Sequence, residues 1–566
     1  MIVMRNYSFW KWVTLGMLTM ALIILIPSIN YAYEGQWEFI EESRSDGQWK
    51  LGGQNIRNTR YQAEERIISR DTVKNLSPKW VFETSGDVYA TPAVLNGALY
   101  VPDWSGSLYK INSRTGTKIW SRTIASYTDN SIDSTADSVR KYVLPNILSV
   151  DPGFLTAVSR TTPAIAGNKI VIGTQKDAYL IAINKDTGDL IWKTKLDEHP
   201  AAVITQSPTI YNNRIYVGLS SQEEGLAANP EYPCCTFRGS MSAVDLKTGK
   251  ILWKTYTVPD NHNQPGGYSG AAVWGSTPAI DPKRNLVYIA TGNNYDVPQA
   301  AKDCITSLSS STPSDQSQCL DSNNYIDAIL ALDLDTGAVK WSNKFSGYDT
   351  WTVACLGGSA LNCPDPKGPD YDFGQAPMLI TIKNNGKPRD LVGAGQKSGI
   401  FWALDPDTGK VVWSRIVGPG GSAGGMQWGS ATDGKQIYVA IANSDFKEYT
   451  LKPSCKKITG GSWSALDAAT GKIIWQTADP AGATDKAPVT IANGVVYGGS
   501  SASGTGKNNM YALDAKTGDI LWSFNSGGSV IAGASVVDGT VYWGSGYSRF
   551  GLGKSNNKLY AFRANS

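Results

Sequence analysis

Short runs of alternating apolar and polar residues recur along the whole chain, and glycine- or asparagine-rich turns separate them. Runs such as LYKIN, LIAIN and MYALD have the two-residue period of a strand that buries one face. Stretches with the 3.6-residue period of an amphipathic helix are few. The pattern therefore predicts an all-β chain of many short strands joined by tight turns.

One motif follows a predicted strand seven times. It consists of an Asn or Asp, a Thr-Gly pair that starts three residues later, and a tryptophan four residues after the glycine. The glycine supplies the positive φ of a tight turn, so each copy predicts a strand, a turn and a second strand. The copies are Asn112–Trp120, Asn184–Trp192, Asp245–Trp253, Asp333–Trp341, Asp405–Trp413, Asp467–Trp475 and Asp514–Trp522.

A second signature precedes most copies and consists of a small or hydroxyl residue, a proline and an alternating strand. It occurs at Thr91-Pro92, Thr162-Pro163, Ser207-Pro208, Thr277-Pro278, Ala376-Pro377 and Ala487-Pro488. Together the two signatures predict four short antiparallel strands per unit, which is typical of a propeller blade.

The tryptophans at 80, 120, 192, 253, 341, 413, 475 and 522 mark eight units if the last one runs to Phe562. We therefore predict an eight-bladed β-propeller whose repeated tryptophans pack between neighbouring blades and do not bind ligands. Ring closure removes exposed strand edges, so the strand around Lys79–Phe82 should pair with carboxy-terminal strands near Val541–Trp543 and Leu559–Phe562.

The residues of the amino terminus predict an export signal. Arg5 and Lys11 precede an uncharged segment whose apolar centre, Val13–Ile26, is 14 residues long. That is shorter than the roughly 20 residues of a spanning helix and fits a signal peptide cleaved after Ala32, with a retained signal anchor as the alternative. The predicted organisation is a leader over 1–32, an N-terminal extension over 33–70 and a propeller over 71–566. The predicted location is periplasmic or secreted, with no membrane span in the mature chain unless the leader is retained.

Charge and composition argue against several classes of function. The 52 basic and 49 acidic side chains form no basic block, which argues against a nucleic-acid partner. His199 and His262 are the only histidines, which disfavours a multi-histidine metal site or a Ser-His-Asp triad. No CxxCH motif for covalent haem occurs, so any electrons must leave through a partner.

The cysteines also indicate an oxidising compartment, because six of the seven are close neighbours in sequence. They predict three local disulfides with Cys455 left over, namely Cys304–Cys319, Cys355–Cys363 and Cys234–Cys235.

Several segments resemble the quinoprotein alcohol dehydrogenases that use pyrroloquinoline quinone (PQQ). They are GGQNIRNTRYQ, SSQEE, YPCCTFRGS, VWGSTPAIDPKRNLVYIATGNNY and YIDAILALDLDTG, and they are most similar to the polyvinyl-alcohol dehydrogenase type. The resemblance extends from about Gln48 to Phe562. The eight-bladed repeat alone is weaker evidence, because non-catalytic scaffold propellers of the cell envelope carry it too.

The resemblance implies that PQQ lies in the central funnel against Trp274, since a planar quinone gains dispersion energy on an indole face. Lys397 matches the basic residue at the reactive quinone oxygens and would also be catalytic. Arg160 matches a carboxylate-binding arginine. Smaller residues expected at the cofactor are Thr205, Ser221 and Gln427.

The same resemblance assigns a metal site to Glu224 and Asn293, whose oxygen donors suit calcium. Two protein ligands suffice only if the quinone supplies the others, so metal and cofactor should bind together. Glu223 and Asn294 are the alternatives if the two loops are shifted by one residue. The vicinal cysteines Cys234 and Cys235 are expected to form a rigid lid over the quinone, or else to be ordinary thiols or partners of Cys455.

The general base departs from the family pattern. Family members place an aspartate just after a tryptophan in a DxWD-like loop, but YDTWT has Thr352 there, and threonine is no general base near neutral pH. Asp349 in the same loop is the expected base, and Asp327 is the second choice.

These expectations describe an exported enzyme that depends on PQQ and Ca²⁺. It would oxidise primary or secondary alcohols, polymeric ones included, by hydride transfer to the quinone. An external acceptor such as a cytochrome c would take the electrons. The rival hypothesis is a non-catalytic propeller scaffold of the cell envelope whose funnel is filled by side chains.

Overall fold

The alternating runs form antiparallel strands in the computed structural model, which describes residues 47–128, 140–143, 156–309, 312–356, 360–384 and 386–564. The predicted leader, and the predicted extension up to residue 46, lie outside the described residues. The strands make eight blades of four strands each, two of which carry a fifth strand, and this confirms the predicted eight-bladed propeller. We number the blades in chain order.

Within each blade the strands pair in sequence order. Blade 1 comprises Ala93–Leu95, Ala98–Pro102, Ser107–Asn112 and Lys118–Thr123, and blade 2 comprises Ala164–Ala166, Lys169–Gly173, Tyr179–Asn184 and Leu190–Lys195. Blade 3 comprises Thr209–Tyr211, Arg214–Ser221, Ser240–Asp245 and Ile251–Tyr256, and blade 4 comprises Ala279–Asp281, Leu286–Ala290, Ala328–Asp333 and Val339–Lys344. Contacts between the first strands of neighbouring blades place these strands around the ring axis.

The remaining blades repeat this order. Blade 5 comprises Met378–Asn384, Lys387–Gly395, Ile400–Leu404 and Val411–Ile416, and blade 6 comprises Ala431–Thr432, Gln436–Ile441, Ser462–Asp467 and Ile473–Ala478. Blade 7 comprises Thr490–Ala492, Val495–Gly499, Met510–Asp514 and Ile520–Phe524. Blade 8 comprises Ser535–Val537, Thr540–Gly544 and Lys558–Ala564, and its fourth strand, Leu76–Glu83, comes from the amino-terminal side. The outer strand of blade 8 thus comes from the other end of the described chain, as predicted. It pairs directly with Lys558–Ala564, and Thr540–Gly544 lies one strand further in.

The repeated tryptophans join the blades. Trp253 of blade 3 donates its indole N–H to the Leu334 carbonyl of blade 4 at 3.0 Å. The turn glycine of blade 4, Gly337, has φ 72°, and a Cβ there would come within 2.5 Å of the Trp253 ring. Trp522 of blade 7 makes the same bond to Leu76 at 2.9 Å, which carries the pattern across the ring closure. The prediction that these rings form interblade core is confirmed.

Elements outside the blades are short. Additional strands are Tyr61–Gln62, Ala202–Val203, Ser269–Gly270, Asn294–Asp296, Tyr449–Thr450 and Lys457–Ile458. The α-helices are Glu223–Leu226, Gln299–Ser307 and Pro313–Ser317, and the 3₁₀ helices are Val73–Asn75, Ile124–Tyr127, Val353–Leu356, Ala360–Asn362 and Arg549–Gly551. In the part of the chain that the structure describes, no helix is both long and apolar enough to cross a bilayer.

The three predicted disulfides are present, and Cys455 is free and exposed. The Cys304–Cys319 bridge ties together the two helices inserted in blade 4. Residues 47–62 run along the first strands of several blades: Trp49 bridges Val94, and Tyr61–Gln62 pairs in parallel with Ile491–Ala492.

Candidate active site

A cavity of about 270 Å³ opens where the blades meet around the axis. Its position follows from strand direction, because antiparallel pairing brings the start of a first strand and the end of the second strand to the same edge of a blade. Six residues expected at the cofactor or metal line it, namely Arg160, Thr205, Glu224, Trp274, Lys397 and Gln427. Ser221, Asn293 and Asp349 do not belong to its lining.

Blade register explains why several of these residues line the cavity. Tyr89, Arg160 and Thr205 each stand two residues before the hydroxyl-proline pair that opens the first strand of blades 1, 2 and 3, and all three line the cavity. Glu224 and Lys397 instead follow the second strands of blades 3 and 5. The site is therefore assembled from equivalent positions of successive blades.

Trp274 offers an aromatic wall. Its backbone carbonyl accepts the hydroxyl proton of Thr205, which fixes the loop, and its indole N–H has no acceptor among the described residues. Gly292 lies directly behind the ring, and a Cβ at that position would stand 2.8 Å from the indole nitrogen. The close backbone approach holds Trp274 against the cavity.

Arg160 and Gln427 add a cationic and an amide group to the lining. The Arg160 guanidinium carbon lies 3.8 Å from the centroid of the Trp428 ring, a cation–π contact. The Gln427 side chain donates to the Gly424 carbonyl at 2.6 Å. Both side chains border the cavity.

The structure separates the two glutamates of the SSQEE loop. Glu224 lines the cavity, and burial raises the pKa of its carboxyl to about 8. Glu223 is fully buried elsewhere and accepts hydrogen bonds from the Tyr232 hydroxyl and from the N–H groups of Thr236 and Phe237. Glu224 is thus the carboxylate available to a cation, and Glu223 pins the loop.

The two asparagines of the TGNNY segment differ in the same way. The amide of Asn293 donates both protons, to the Asn294 and Trp351 carbonyls at 2.9 Å each, so its buried Oδ1 is left without a donor among the described residues. Asn294 is satisfied by reciprocal bonds with Asn324. The orphaned oxygen of Asn293 fits a cation ligand.

Lys397 lies between two carboxylates that sequence reasoning missed. Its ammonium is 2.8 Å from Asp370 Oδ1 and 2.8 Å from Asp372 Oδ2. Burial opposes its charge, but Asp370, Asp372 and Glu224 outweigh burial and raise the pKa of Lys397 well above its ordinary value. Asp372 also lines the cavity and accepts the Asn293 backbone N–H at 2.6 Å. The run PDYDFG, just before the Ala376-Pro377 pair, was the available sequence signal.

The expected base, Asp349, lies behind this pair. Its carboxylate accepts the backbone N–H groups of Asp370 at 2.9 Å and Tyr371 at 2.6 Å. Burial raises the pKa of Asp349 to about 6, and burial also raises that of Asp327 beside it. Neither carboxyl belongs to the cavity lining. Asp349 therefore positions the loop that carries Asp370 and Asp372.

Three further expected residues, Ser221 and the two vicinal cysteines, lie away from the cavity lining. The Ser221 hydroxyl accepts the Glu223 N–H at 3.0 Å, at the start of the helix that carries Glu224. The disulfide of Cys234 and Cys235 packs in the blade 2 and 3 core, and neither cysteine belongs to the lining. Among the described residues, no group of three or more Asp, Glu, His or Cys side chains is arranged to hold a metal.

Comparison with known proteins bears on this arrangement. The family profile described as "Glucose/ethanol/alcohol dehydrogenase, beta-propeller domain" matches residues 197–416, and the one described as "Outer membrane protein assembly factor BamB" matches residues 396–566. A polyvinylalcohol dehydrogenase from Pseudomonas sp. is 32% identical over 70% of this chain and 55% of its own length. One from Sphingopyxis sp. is 31% identical over 76% and 58%.

Solved structures agree in fold. A quinohemoprotein alcohol dehydrogenase from Comamonas testosteroni superposes with a TM-score of 0.66 at 21% identity, covering 93% of this chain and 82% of its own. The chain spans little more than half the length of the polyvinylalcohol dehydrogenases it matches.

Fold and cavity together define a propeller of the quinoprotein class, with an aromatic wall, a lysine and oxygen donors around one axial pocket. The chain belongs to the family of PQQ-dependent alcohol dehydrogenases, and its sequence is similar to the polyvinylalcohol dehydrogenases within that family.

Proposed function

We propose that this protein is an exported, PQQ- and Ca²⁺-dependent dehydrogenase that oxidises primary or secondary alcohols, polymeric ones included. When bound, PQQ would supply an acceptor for the hydride of the alcohol carbon. An external acceptor such as a cytochrome c would then take the electrons. The observation that carries the proposal is that Trp274, Glu224 and Lys397 line a single cavity together with Asp372. Asn293, whose side-chain oxygen is orphaned, is joined to this lining by its backbone N–H bond to Asp372.

The roles follow from the contacts. Trp274 would stack on the cofactor, and Arg160, Thr205 and Gln427 would bind its polar edge. Glu224 and Asn293 would hold calcium, since oxygen donors suit this ion. Ser221 would act indirectly by holding the start of the helix that carries Glu224.

We propose that the alcohol proton passes to the pair Asp370 and Asp372, with Asp349 as a positioning residue. Geometry supports this choice: Asp372 borders the cavity, and both carboxylates of the pair contact Lys397. Asp349 is occupied by two backbone N–H groups. An acceptor must reach the proton it takes, which favours a lining carboxylate.

Export supports the same function. Disulfides persist in oxidising compartments, and three are present in the described chain. We propose a signal peptide over 1–32, an extension over 33–70 and a propeller domain over 71–566, located in the periplasm or outside the cell.

The test is reconstitution. Purified protein should bind PQQ with Ca²⁺, gain the quinone absorption band and reduce an artificial dye when a primary or secondary alcohol is added. Asp372→Asn and Asp370→Asn should each be compared with Asp349→Asn at equal quinone occupancy. Loss of turnover with quinone retained in either of the first two, and a milder loss in the third, is the expected result.

The rival function is a cofactor-free scaffold of the cell envelope. The similarity of residues 396–566 to an outer-membrane assembly factor supports this alternative. A scaffold predicts a funnel filled by side chains, whereas the structure has an open cavity there. Absence of both the absorption band and dye reduction would refute the dehydrogenase and favour the scaffold.

A further inference from the structure

A second buried lysine is a close sequence neighbour of the cavity lining. Lys486 precedes Ala487-Pro488, the pair that opens the first strand of blade 7, and Pro488 lines the cavity. Lys486 stands two residues before that proline. In blades 1 and 4 the corresponding residues, Ala90 and Ser276, are part of the cavity lining, whereas those of blades 2, 3 and 5 and Lys486 itself are not. Lys486 therefore lies next to the lining in the chain, two residues from Pro488, and not in it.

Lys486 is buried without a counterion. It is 9% exposed, and no hydrogen bond or ion pair reaches its ammonium in the part of the chain that the structure describes. Burial, and then repulsion by Lys397, lower the pKa of Lys486. The neighbouring Asp485 does not act on it. An isolated buried ammonium is costly, so the site requires an anion.

Lys397 does not need an anion from a ligand, because Asp370 and Asp372 already compensate its charge at 2.8 Å each. Lys486 is therefore the lysine beside the cavity whose charge is left for an incoming molecule.

We propose that Lys486 is an anion-binding residue of the cofactor site, whose ammonium takes an anionic oxygen of the planar ligand in the cavity. This inference rests on the proposed function. The oxygen belongs either to a carboxylate of the ligand or to the quinone as it gains charge. Both are oxyanions that a lysine recognises as a point charge.

The variants Lys486→Met and Lys486→Arg test the assignment, with Lys516→Met as control because Lys516 is an exposed lysine of the same blade. PQQ is titrated into each apoprotein in the presence of Ca²⁺, and binding is followed by absorbance. Loss of a charge-assisted hydrogen bond should weaken binding by Lys486→Met about tenfold or more, whereas Lys486→Arg should keep most of the affinity. The control should bind like the wild type.

A second measurement excludes a merely structural lysine. Because the ammonium is uncompensated without ligand, Lys486→Met should raise the urea midpoint of the apoprotein and reduce the stabilisation that PQQ gives. A structural lysine would instead lower the apoprotein midpoint. That result, together with unchanged PQQ affinity, would overturn the proposal.

PQQ trimethyl ester identifies the oxygen. If Lys486→Met weakens binding of PQQ but not of the ester, the partner is a carboxylate; if it weakens both alike, the partner is a quinone oxygen. If neither ligand is affected, Lys486 is not part of the site. Failure of the wild-type protein to bind PQQ would refute the proposed function itself, whereas wild-type binding that Lys486→Met leaves intact would refute only this assignment.

Discussion

Gly292 offers a direct way to disturb the site without touching its functional groups. It lies between Trp274 and Asp372, and a Cβ there would stand 2.4 Å from Asp372 Oδ1 and 2.8 Å from the indole nitrogen. Ordinary contacts of this kind are about 3.5 Å, so Gly292→Ala requires the Asp372 carboxylate to move by about 1 Å and the indole by about 0.7 Å. Gly292 has no positive φ, so the effect would come from the contact and not from the backbone.

The displacement has a calculable consequence. A shift of Asp372 by about 1 Å away from Lys397 would stretch their 2.8 Å contact beyond hydrogen-bonding distance. Overpacking costs about 1–3 kcal/mol of unfolding free energy. Misplacement on this scale costs on the order of 10- to 100-fold in turnover. We expect Gly292→Ala to fold, to bind PQQ more weakly and to lose activity by such a factor.

The assay combines PQQ titration, dye reduction and urea unfolding. Gly225→Ala is the matched control, because Gly225 also has no positive φ and a Cβ there meets no atom within 4 Å. Gly225 lies next to Glu224, so the control also tests whether nearness to the site matters by itself. If Gly292→Ala binds PQQ and turns over like the control, the positions of Trp274 and Asp372 do not govern the site and the argument fails.

Two other predictions concern stability. Gly337→Ala should lower the unfolding free energy by about 1–3 kcal/mol more than Gly97→Ala, because both glycines have positive φ but only the first touches a tryptophan ring; equal losses in urea titrations would contradict interblade docking. Burial, reinforced by Asp479, raises the pKa of Asp485 well above its usual value, so the folded protein holds a proton that the unfolded chain releases. The stability from this group is complete below about pH 4 and falls as pH rises. Asp485→Asn should flatten that fall between pH 5 and 8, and parallel urea-midpoint curves for wild type and variant would disprove it.

The repeat made the architecture accessible from sequence. Each turn glycine, tryptophan and proline pair is a local requirement, so seven copies of one motif and six of the other determined the blade count and the ring closure. The site was partly accessible, because Trp274, Glu224 and Lys397 stand in recognisable segments. The proton acceptor that we propose was not accessible from sequence. Asp349 is near a tryptophan in sequence, but its carboxylate accepts two backbone N–H groups.

Lys486 and Asp372 show why the rest required the tertiary structure. Local patterns state that a residue is at the start of a first strand or the end of a second, and antiparallel pairing puts both at one face of the ring. Whether the side chain of such a residue borders the axis, pairs with a neighbouring side chain or is buried between blades depends on contacts between segments far apart in sequence. The sequence alone determined the eight-bladed ring and its closure, because these follow from short-range periodicity and turn chemistry. Only the packing of the blades decided which carboxylates meet Lys397 and which lysine is left without a counterion.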